Sequence, residues 1–532
     1  MNLTTQDTYH KSQNQHYQNL LHYDREQEKN VYFIGIGGVG MSAIAKILMD
    51  EGCIVSGSDP ECTPITHNLR EKGAKIYTKQ DGNSLDHYTN LVIASAAINE
   101  SNPDLVKARK LGLKVVKYSE FLGSLMKDRR GIAVSGTHGK TTTSAMISTI
   151  LKKSGHEPTF VVGGDIVEIG GGSCVGKGTL FVAEACEYDK TFLNLSPQIG
   201  VITNIDEDHL DYYKDIRGIT DAFSEFASLI PADGILVVDG EDENIKTAIK
   251  NAGCRISRYS VVSARVNTQM ADVPDSFSFC TIPGVIMDES AGGMQGKSES
   301  KWLAVVYSFD KTESVFSVYN ESGFFGNFSL QVPGIHNVKN ALAAITVCSH
   351  IGLQAEVIQK AFQSFKGVSR RFEIISNEDG ITIIDDYAHH PTEIRTTLET
   401  VRAVYPSQQV TCVFQPHQYN RTRFFLKEFA ASLSLADRVI LTDIYAARDS
   451  GIDKASVSSL DLVRELLEMG GNVQYMKSIS EIVNELPINA KTGDIILTMG
   501  AGDIWKAAYG LRDFFKKKHD NPNEGRRQLI ST

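Results

Sequence analysis

The stretch VYFIGIGGVGMSAIAKILM, residues 31–49, reads as a short apolar strand, a glycine turn and a helix with apolar residues at three- and four-residue spacing. Gly35, Gly37 and Gly40 fit G-x-G-x-x-G, and Asp59 closes the next apolar run 19 residues after Gly40. That spacing is the fingerprint of a dinucleotide site in a strand–helix–strand unit. What the chemistry specifies is narrower. Glycines let the backbone approach a diphosphate, and the helix N-terminus presents free N–H groups and the positive end of its dipole. Any nucleotide diphosphate meets that requirement, and a tight turn with no ligand is the plain alternative. The residues singled out are Gly35, Gly37, Gly38, Val39, Gly40, Met41, Ser42 and Asp59.

Outward from this stretch the strand–helix alternation continues through NLVIASAA and LKVVKYSE to about residue 125. A second alternation opens at RGIAVSGTHGKTTTSAMISTILKKSG and includes the apolar runs GTLFVAEA and IGVITNI. A third follows GVSRRFEII, with runs at ITIIDDYA, QVTCVFQP, RVILTDIY and DIILTMGAGD. The expected fold is therefore three α/β domains: 31–125, 126–368 and 369–532. Residues 1–30 are expected to form a poorly ordered tail, and 263–301, rich in Ser, Asp, Gly and Met, a long surface loop. Hinges are expected near 125–130 and 366–369, so that closure brings Asp386, His389 and Arg421 toward Lys140.

The second alternation carries SGTHGKTTT, residues 135–143, between a strand and a helix. Here Gly136, Thr137, His138, Gly139, Lys140, Thr141 and Thr142 read as a nucleotide triphosphate loop. Backbone amides cradle phosphates, Lys140 places a charge at the β/γ-phosphates and a Thr hydroxyl binds Mg²⁺. Val134 stands where the usual pattern has its first glycine. A dehydrogenase has no use for this second loop. ATP chemistry on a nucleotide-carrying substrate does, so activation by ATP is favoured over hydride transfer with NAD.

The 532 residues carry a formal net charge of -10, with a pI near 5.8, which argues against a chain built to track nucleic acid or an anionic membrane. No long apolar run reads as a membrane span, and the N-terminus lacks the order of a secretory signal, so a cytoplasmic location is expected. The eight cysteines occur without a CxxC pair, which suits reduced thiols better than a disulfide frame or zinc site.

GIGGVGMS, GTHGKTTT, AEACEYDKTF, NIDEDHLDYY, GIHNVKNALAA, SRRFE, DDYAHHPTEI and FQPHQYNRTR occur in one order between about residues 31 and 508. Together they resemble the Mur ligase family, and within it the members that join L-alanine to UDP-N-acetylmuramate in peptidoglycan synthesis. The resemblance implies a Rossmann-like N-terminal UDP-binding domain, a central P-loop ATPase domain and a Rossmann-like C-terminal domain that brings the amino acid. It turns the first loop into a site for the UDP-sugar and removes NAD. It also implies ATP and Mg²⁺, passage through an acyl phosphate, and a monomer or weak homodimer.

Residue by residue, the resemblance assigns one Mg²⁺ to Thr141 and Glu184 and a second to His209, and the adenine side of ATP to His336 and Asn337. Read without it, Glu184 is a strand-end carboxylate, His209 a solvated loop histidine, and His336 and Asn337 a helix cap. Arg370 or Arg371 is the phosphate-facing arginine. Lys140, His209, Asp386, His389 and Arg421 are the candidate catalytic groups, with Tyr387, His390 and Arg423 beside them. Gln418 stands where relatives often have Arg, and Lys190 is assigned to the surface. The rival readings are a recycling ligase that attaches a tripeptide, a folate polyglutamate ligase, an NAD-dependent dehydrogenase and a non-catalytic nucleotide-binding scaffold.

Overall fold

A computed structural model of the chain describes residues 29–263, 299–309, 313–447 and 449–520. Residues 1–28 of the expected tail and 264–298 of the expected loop lie outside the described residues. At their borders, Asn30 already opens the first strand, Ser263 ends one strand and Glu299 begins the next.

Three sheets organise the chain. The first has five strands in the order Lys75–Tyr77, Ile54–Ser58, Asn30–Ile34, Leu91–Ala94, Val115–Lys117, all paired in parallel. Val31, Phe33 and Ile93 point into one core, while Tyr32, Ile34, Val92 and Ala94 point into another. Both faces are covered, so these strands read as continuous apolar runs rather than as alternating ones. The second sheet has ten strands. Its parallel centre runs Leu180–Glu184, Arg130–Ser135, Ile199–Ile202, Ile235–Asp239, Arg255–Ser263, Glu299–Phe309. The third has six strands, parallel except where Glu373–Glu378 runs against Ile381–Asp386.

Sheet order positions both glycine loops. Asn30–Ile34 has its next strand, Ile54–Ser58, on one side and Leu91–Ala94 on the other. Arg130–Ser135 likewise lies between Leu180–Glu184 and Ile199–Ile202. Each loop thus leaves the carboxyl end of a strand where the winding direction reverses, the place where open α/β sheets form a ligand crevice.

Two compact units result. One joins the first two sheets, from the N-terminal strands to Tyr307 with Phe316–Ser329 and Val338–Phe365; the other takes Ser308–Val315, Leu330–Asn337 and the chain from Lys366. The expected hinge at 125–130 meets an obstacle inside the first unit. The helix Tyr118–Lys127 sinks Phe121, Leu122, Leu125 and Met126 into one continuous core with Phe33, Ala133, Phe181 and Phe192. Phe192 in turn stacks on Phe226, ring centroids 5.0 Å apart. Leaving that core exposes apolar surface, so this junction is a weld rather than a hinge. The other expected hinge, 366–369, coincides with the point where the second unit resumes.

The weld has a backbone signature. A Cβ on Gly123 would lie 2.0 Å from the Asn194 carbonyl oxygen, whereas one on Gly253 would meet nothing within 4 Å. Gly123→Ala is therefore expected to lower stability by about 1–3 kcal/mol through overpacking, and Gly253→Ala to leave it unchanged. Thermal melting of the two variants checks this; equal melting temperatures would contradict the close approach.

Candidate active site

In the first loop, Gly35 takes φ +83° and its N–H donates to the Ser58 carbonyl at 2.8 Å. The helix Val39–Asp50 follows, and its first-turn amides have no intrahelical acceptor. Gly38 and Val39 are exposed, while the Met41 and Ser42 side chains are buried beneath the turn. Asp59 accepts from the Gly37 N–H at 2.9 Å and from the Glu61 N–H at 3.0 Å. Its carboxylate buttresses the loop.

The second loop is braced from behind. Gly136 and Gly139 take φ +131° and +82°, and a Cβ on either would meet Thr203 Oγ1 at 2.0 Å or Asn340 Oδ1 at 2.4 Å. Thr137 and His138 donate their N–H groups to the Asn204 carbonyl (3.0 Å) and Asn204 Oδ1 (2.8 Å). His138 Nε2 also lies 3.3 Å from Asp206. The segment after the strand Ile199–Ile202 therefore fixes the loop's back, and the helix Lys140–Lys153 presents its N-terminus in front.

Lys140 is largely buried. Its Nζ donates to the carbonyls of Gly136 (2.5 Å) and Thr137 (2.9 Å) and pairs with Glu187 at 2.9 Å. Burial works against the ammonium, but the charges of Glu187 and Glu184 outweigh it, and Lys140 holds its proton more tightly than an ordinary lysine. Thr141 Oγ1 lies 3.0 Å from both carboxylate oxygens of Glu184, one of which accepts the Gly163 N–H at 2.7 Å. Adjacent oxygens around an octahedral Mg²⁺ stand about 2.9 Å apart, so this pair fits two neighbouring ligand positions. His209 sits in the left-handed region (φ 52°, ψ 39°), edge-on to Tyr188, with Nε2 3.8 Å from Glu187.

A cavity is lined by Gly40 of the first loop and by Glu184, the partner of Thr141 in the second. Tyr118, Gly163 and Cys186 line it as well.

The second unit holds the other candidates. Asp386 is buried and accepts the N–H groups of Phe372 and Ala388, each at 2.7 Å. Burial pushes its pKa up to about 6, against the pull of Arg371 and these two bonds. It ties the turn at 370–372 to the strand end. Arg370 is committed: it reaches Asp385 (3.1 Å) and the carbonyls of Gly500 (2.6 Å) and Gly502 (3.2 Å). Arg371 keeps a 4.0 Å pairing with Glu393 and lies over the Tyr387 ring. His336 is half-buried, its Nδ1 is buried with no hydrogen-bond partner among the described residues, and burial with the nearby Arg371 charge lowers its pKa to about 4. Asn337 donates Nδ2–H to the Pro333 carbonyl at 2.7 Å.

His389 shares Nδ1 between the Tyr387 carbonyl and Glu393, both at 3.1 Å. His390 caps the helix Pro391–Val404 by accepting the Thr392 N–H. Arg421 is buried 3.4 Å from His417 Nδ1. Gln418, at φ +69°, holds the neighbouring turn through the Tyr445 and Ala447 carbonyls. Lys190 pairs with Glu225 at the surface. Glu187, Asn204 and Asn340 were not singled out from sequence. A lysine buried in a phosphate loop requires a counter-charge, and that requirement was the available signal for Glu187.

Removing Glu187 leaves Lys140 buried without its carboxylate, which is expected to destabilise the free protein by about 3–5 kcal/mol. Nucleotide phosphates then replace the missing charge. Glu187→Ala should therefore melt lower than the parent and gain more from a non-hydrolysable ATP analogue with Mg²⁺. An equal gain in both proteins would contradict the pairing.

Three domain descriptions match the chain: "Mur ligase family, catalytic domain" over residues 30–130, "Mur ligase middle domain" over 134–348 and "Mur ligase, glutamate ligase domain" over 370–502. The UDP-N-acetylmuramate–L-alanine ligase of Alkaliphilus metalliredigens is 40% identical over 491 residues, 92% of this chain and 98% of the relative. Its counterpart in Caldanaerobacter subterraneus subsp. tengcongensis is 40% identical over 496 residues, 93% and 99% of the two chains. The crystal structure of the UDP-N-acetylmuramate–alanine ligase from Thermotoga maritima aligns with a TM-score of 0.72 at 26% identity, covering 92% of this chain and 99% of that one. Similarity of this extent, running through both phosphate loops and the third sheet, means that the chain belongs to the Mur ligase family.

Proposed function

We propose that this ligase joins L-alanine to the carboxylate of UDP-N-acetylmuramate, with ATP converting that carboxylate to an acyl phosphate, in peptidoglycan biosynthesis. The observation that carries the reading is a cavity lined both by Gly40 of the first loop and by Glu184, the carboxylate that Thr141 of the second loop reaches at 3.0 Å. A substrate held by its diphosphate at the first loop extends its far end toward the phosphates at the second.

The working division of the chain is 31–125 for the UDP-sugar, 126–368 for ATP and 369–532 for the amino acid and the ATP side. Gly35, Gly37, Gly38, Val39 and Gly40 form the diphosphate turn; Met41, Ser42 and Asp59 support it. Gly136, Thr137, His138, Gly139, Lys140, Thr141 and Thr142 hold the triphosphate. Thr141, Glu184 and His209 are the groups for Mg²⁺, which when bound neutralises charge on the transferring phosphoryl group. A substrate carboxylate oxygen attacks the γ-phosphorus and ADP leaves. The alanine amine then attacks the acyl carbon, and phosphate departs with that oxygen. Lys140 supplies fixed positive charge as the phosphoryl group moves. His336 and Asn337 serve the nucleotide, and Arg371 is the phosphate-facing arginine because Arg370 is spent within its own unit. His389 and Arg421 face the amino acid; Asp386 positions the turn that carries Arg371.

Among the described residues no helix is long and apolar enough to cross a membrane. A cytoplasmic monomer or weak homodimer with no nucleic-acid or membrane partner completes the reading. The tripeptide-attaching ligase is the rival of the same chemistry, and the intact GIGGVGMS stretch favours the alanine-adding members.

Phosphate release from ATP with UDP-N-acetylmuramate should be fastest with L-alanine, ahead of glycine, L-serine and tripeptide; preference for tripeptide would overturn the substrate assignment. Lys140→Ala should lower kcat on the order of 10²- to 10³-fold, with the KM for UDP-N-acetylmuramate little changed. Near-normal turnover would sink the loop assignment.

A further inference from the structure

The third glycine of the first loop has an unexpected neighbour. A Cβ on Gly40 would lie 2.5 Å from the Tyr118 hydroxyl oxygen and 2.6 Å from its Cζ. The phenol therefore lies across the first turn of the helix Val39–Asp50, against the one face of Gly40 that a side chain would fill. This explains why position 40 is glycine without appeal to backbone strain, since Gly40 is absent from the positive-φ glycines.

Tyr118 is also placed by the other half of the unit. It is the first residue of the helix Tyr118–Lys127, whose Phe121, Leu122, Leu125 and Met126 are locked in the shared core. It lines the same cavity as Glu184, Gly163 and Cys186. Among the described residues its hydroxyl has no hydrogen-bond partner. An ordinary phenol keeps its proton at neutral pH and is a hydrogen-bond donor. A donor held beside the free amides of a helix first turn adds to the attraction that turn exerts on an anion.

We infer that Tyr118 is a substrate-binding residue that donates its O–H to a phosphate oxygen of the UDP-sugar at the first turn of Val39–Asp50. This rests on the reading of that loop as the UDP-sugar site and adds a contact from outside the glycine motif. The same placement makes Tyr118 a link between the two loops. It touches the diphosphate turn, yet its position is set by the core that also seats the strand Arg130–Ser135.

Tyr118→Phe keeps the ring over Gly40 and removes only the donor. Loss of a hydrogen bond to a charged group corresponds to roughly a 10-fold or greater loss of affinity. The expected result is a rise of about that size in the KM for UDP-N-acetylmuramate and in the Kd for UDP measured by calorimetry. The KM values for ATP and L-alanine and the melting temperature should stay unchanged. Gly40→Ala, which must displace the phenol, should raise the same two constants, and adding Tyr118→Phe to it should cost little more. Unchanged UDP affinity in Tyr118→Phe overturns the inference, as do a matching rise in the KM for ATP or full additivity with Gly40→Ala. Parent enzyme that binds UDP but releases no phosphate with UDP-N-acetylmuramate and L-alanine would refute the ligase reading instead, leaving the UDP comparison to judge Tyr118.

Discussion

Burial of one helix face, Phe121, Leu122, Leu125 and Met126, is the constraint on which the arrangement of the site depends. Each glycine loop could bind phosphate in isolation, because each is a strand end followed by a helix N-terminus. Two phosphate sites become one reaction site only if the distance between them is fixed. The shared core fixes it, and the close passage of Gly123 by the Asn194 carbonyl leaves the helix no room to slide. Proximity of reacting groups is worth more to the rate than any single contact, so under the proposed reading a weld at this junction serves the reaction.

The second loop carries its own electrostatic preparation. Lys140 is held on two loop carbonyls and Glu187, and Thr141 on Glu184. Cationic and oxygen-rich groups thus stand ready at fixed positions, so little reorganisation is needed when phosphate charge arrives. Glu187 is the unusual part. A buried carboxylate, it pairs with Lys140 at 2.9 Å and, with Glu184, favours the charged ammonium against burial.

Much of this was legible in the sequence because glycine loops and apolar runs are local signals. The strands that begin at Asn30, Arg130 and Ile381 are legible to within a residue from composition, and the residues of both loops stand in unbroken segments. The hidden parts depend on contacts distant in sequence. Asn340 braces Gly139 from about two hundred residues away, and nothing near Gly40 announces Tyr118. Asp59 fits a ribose contact by spacing, and only the fold shows that it also braces Gly37. Arg370 and Arg371 are neighbours of one type, and only the fold shows that one is locked to Asp385 while the other is freer. The hinge at 125–130 was misread because charged residues at a domain junction look flexible when the buried side of the preceding helix is ignored.

The central claim is that one cavity brings the carboxylate of the sugar nucleotide to the γ-phosphate of ATP. The most direct test is to label that carboxylate with ¹⁸O, run the ligation with L-alanine and weigh the released phosphate. Acyl phosphate chemistry predicts that each phosphate formed carries one oxygen from the labelled substrate. Phosphate free of label, formed in step with product, would contradict the account.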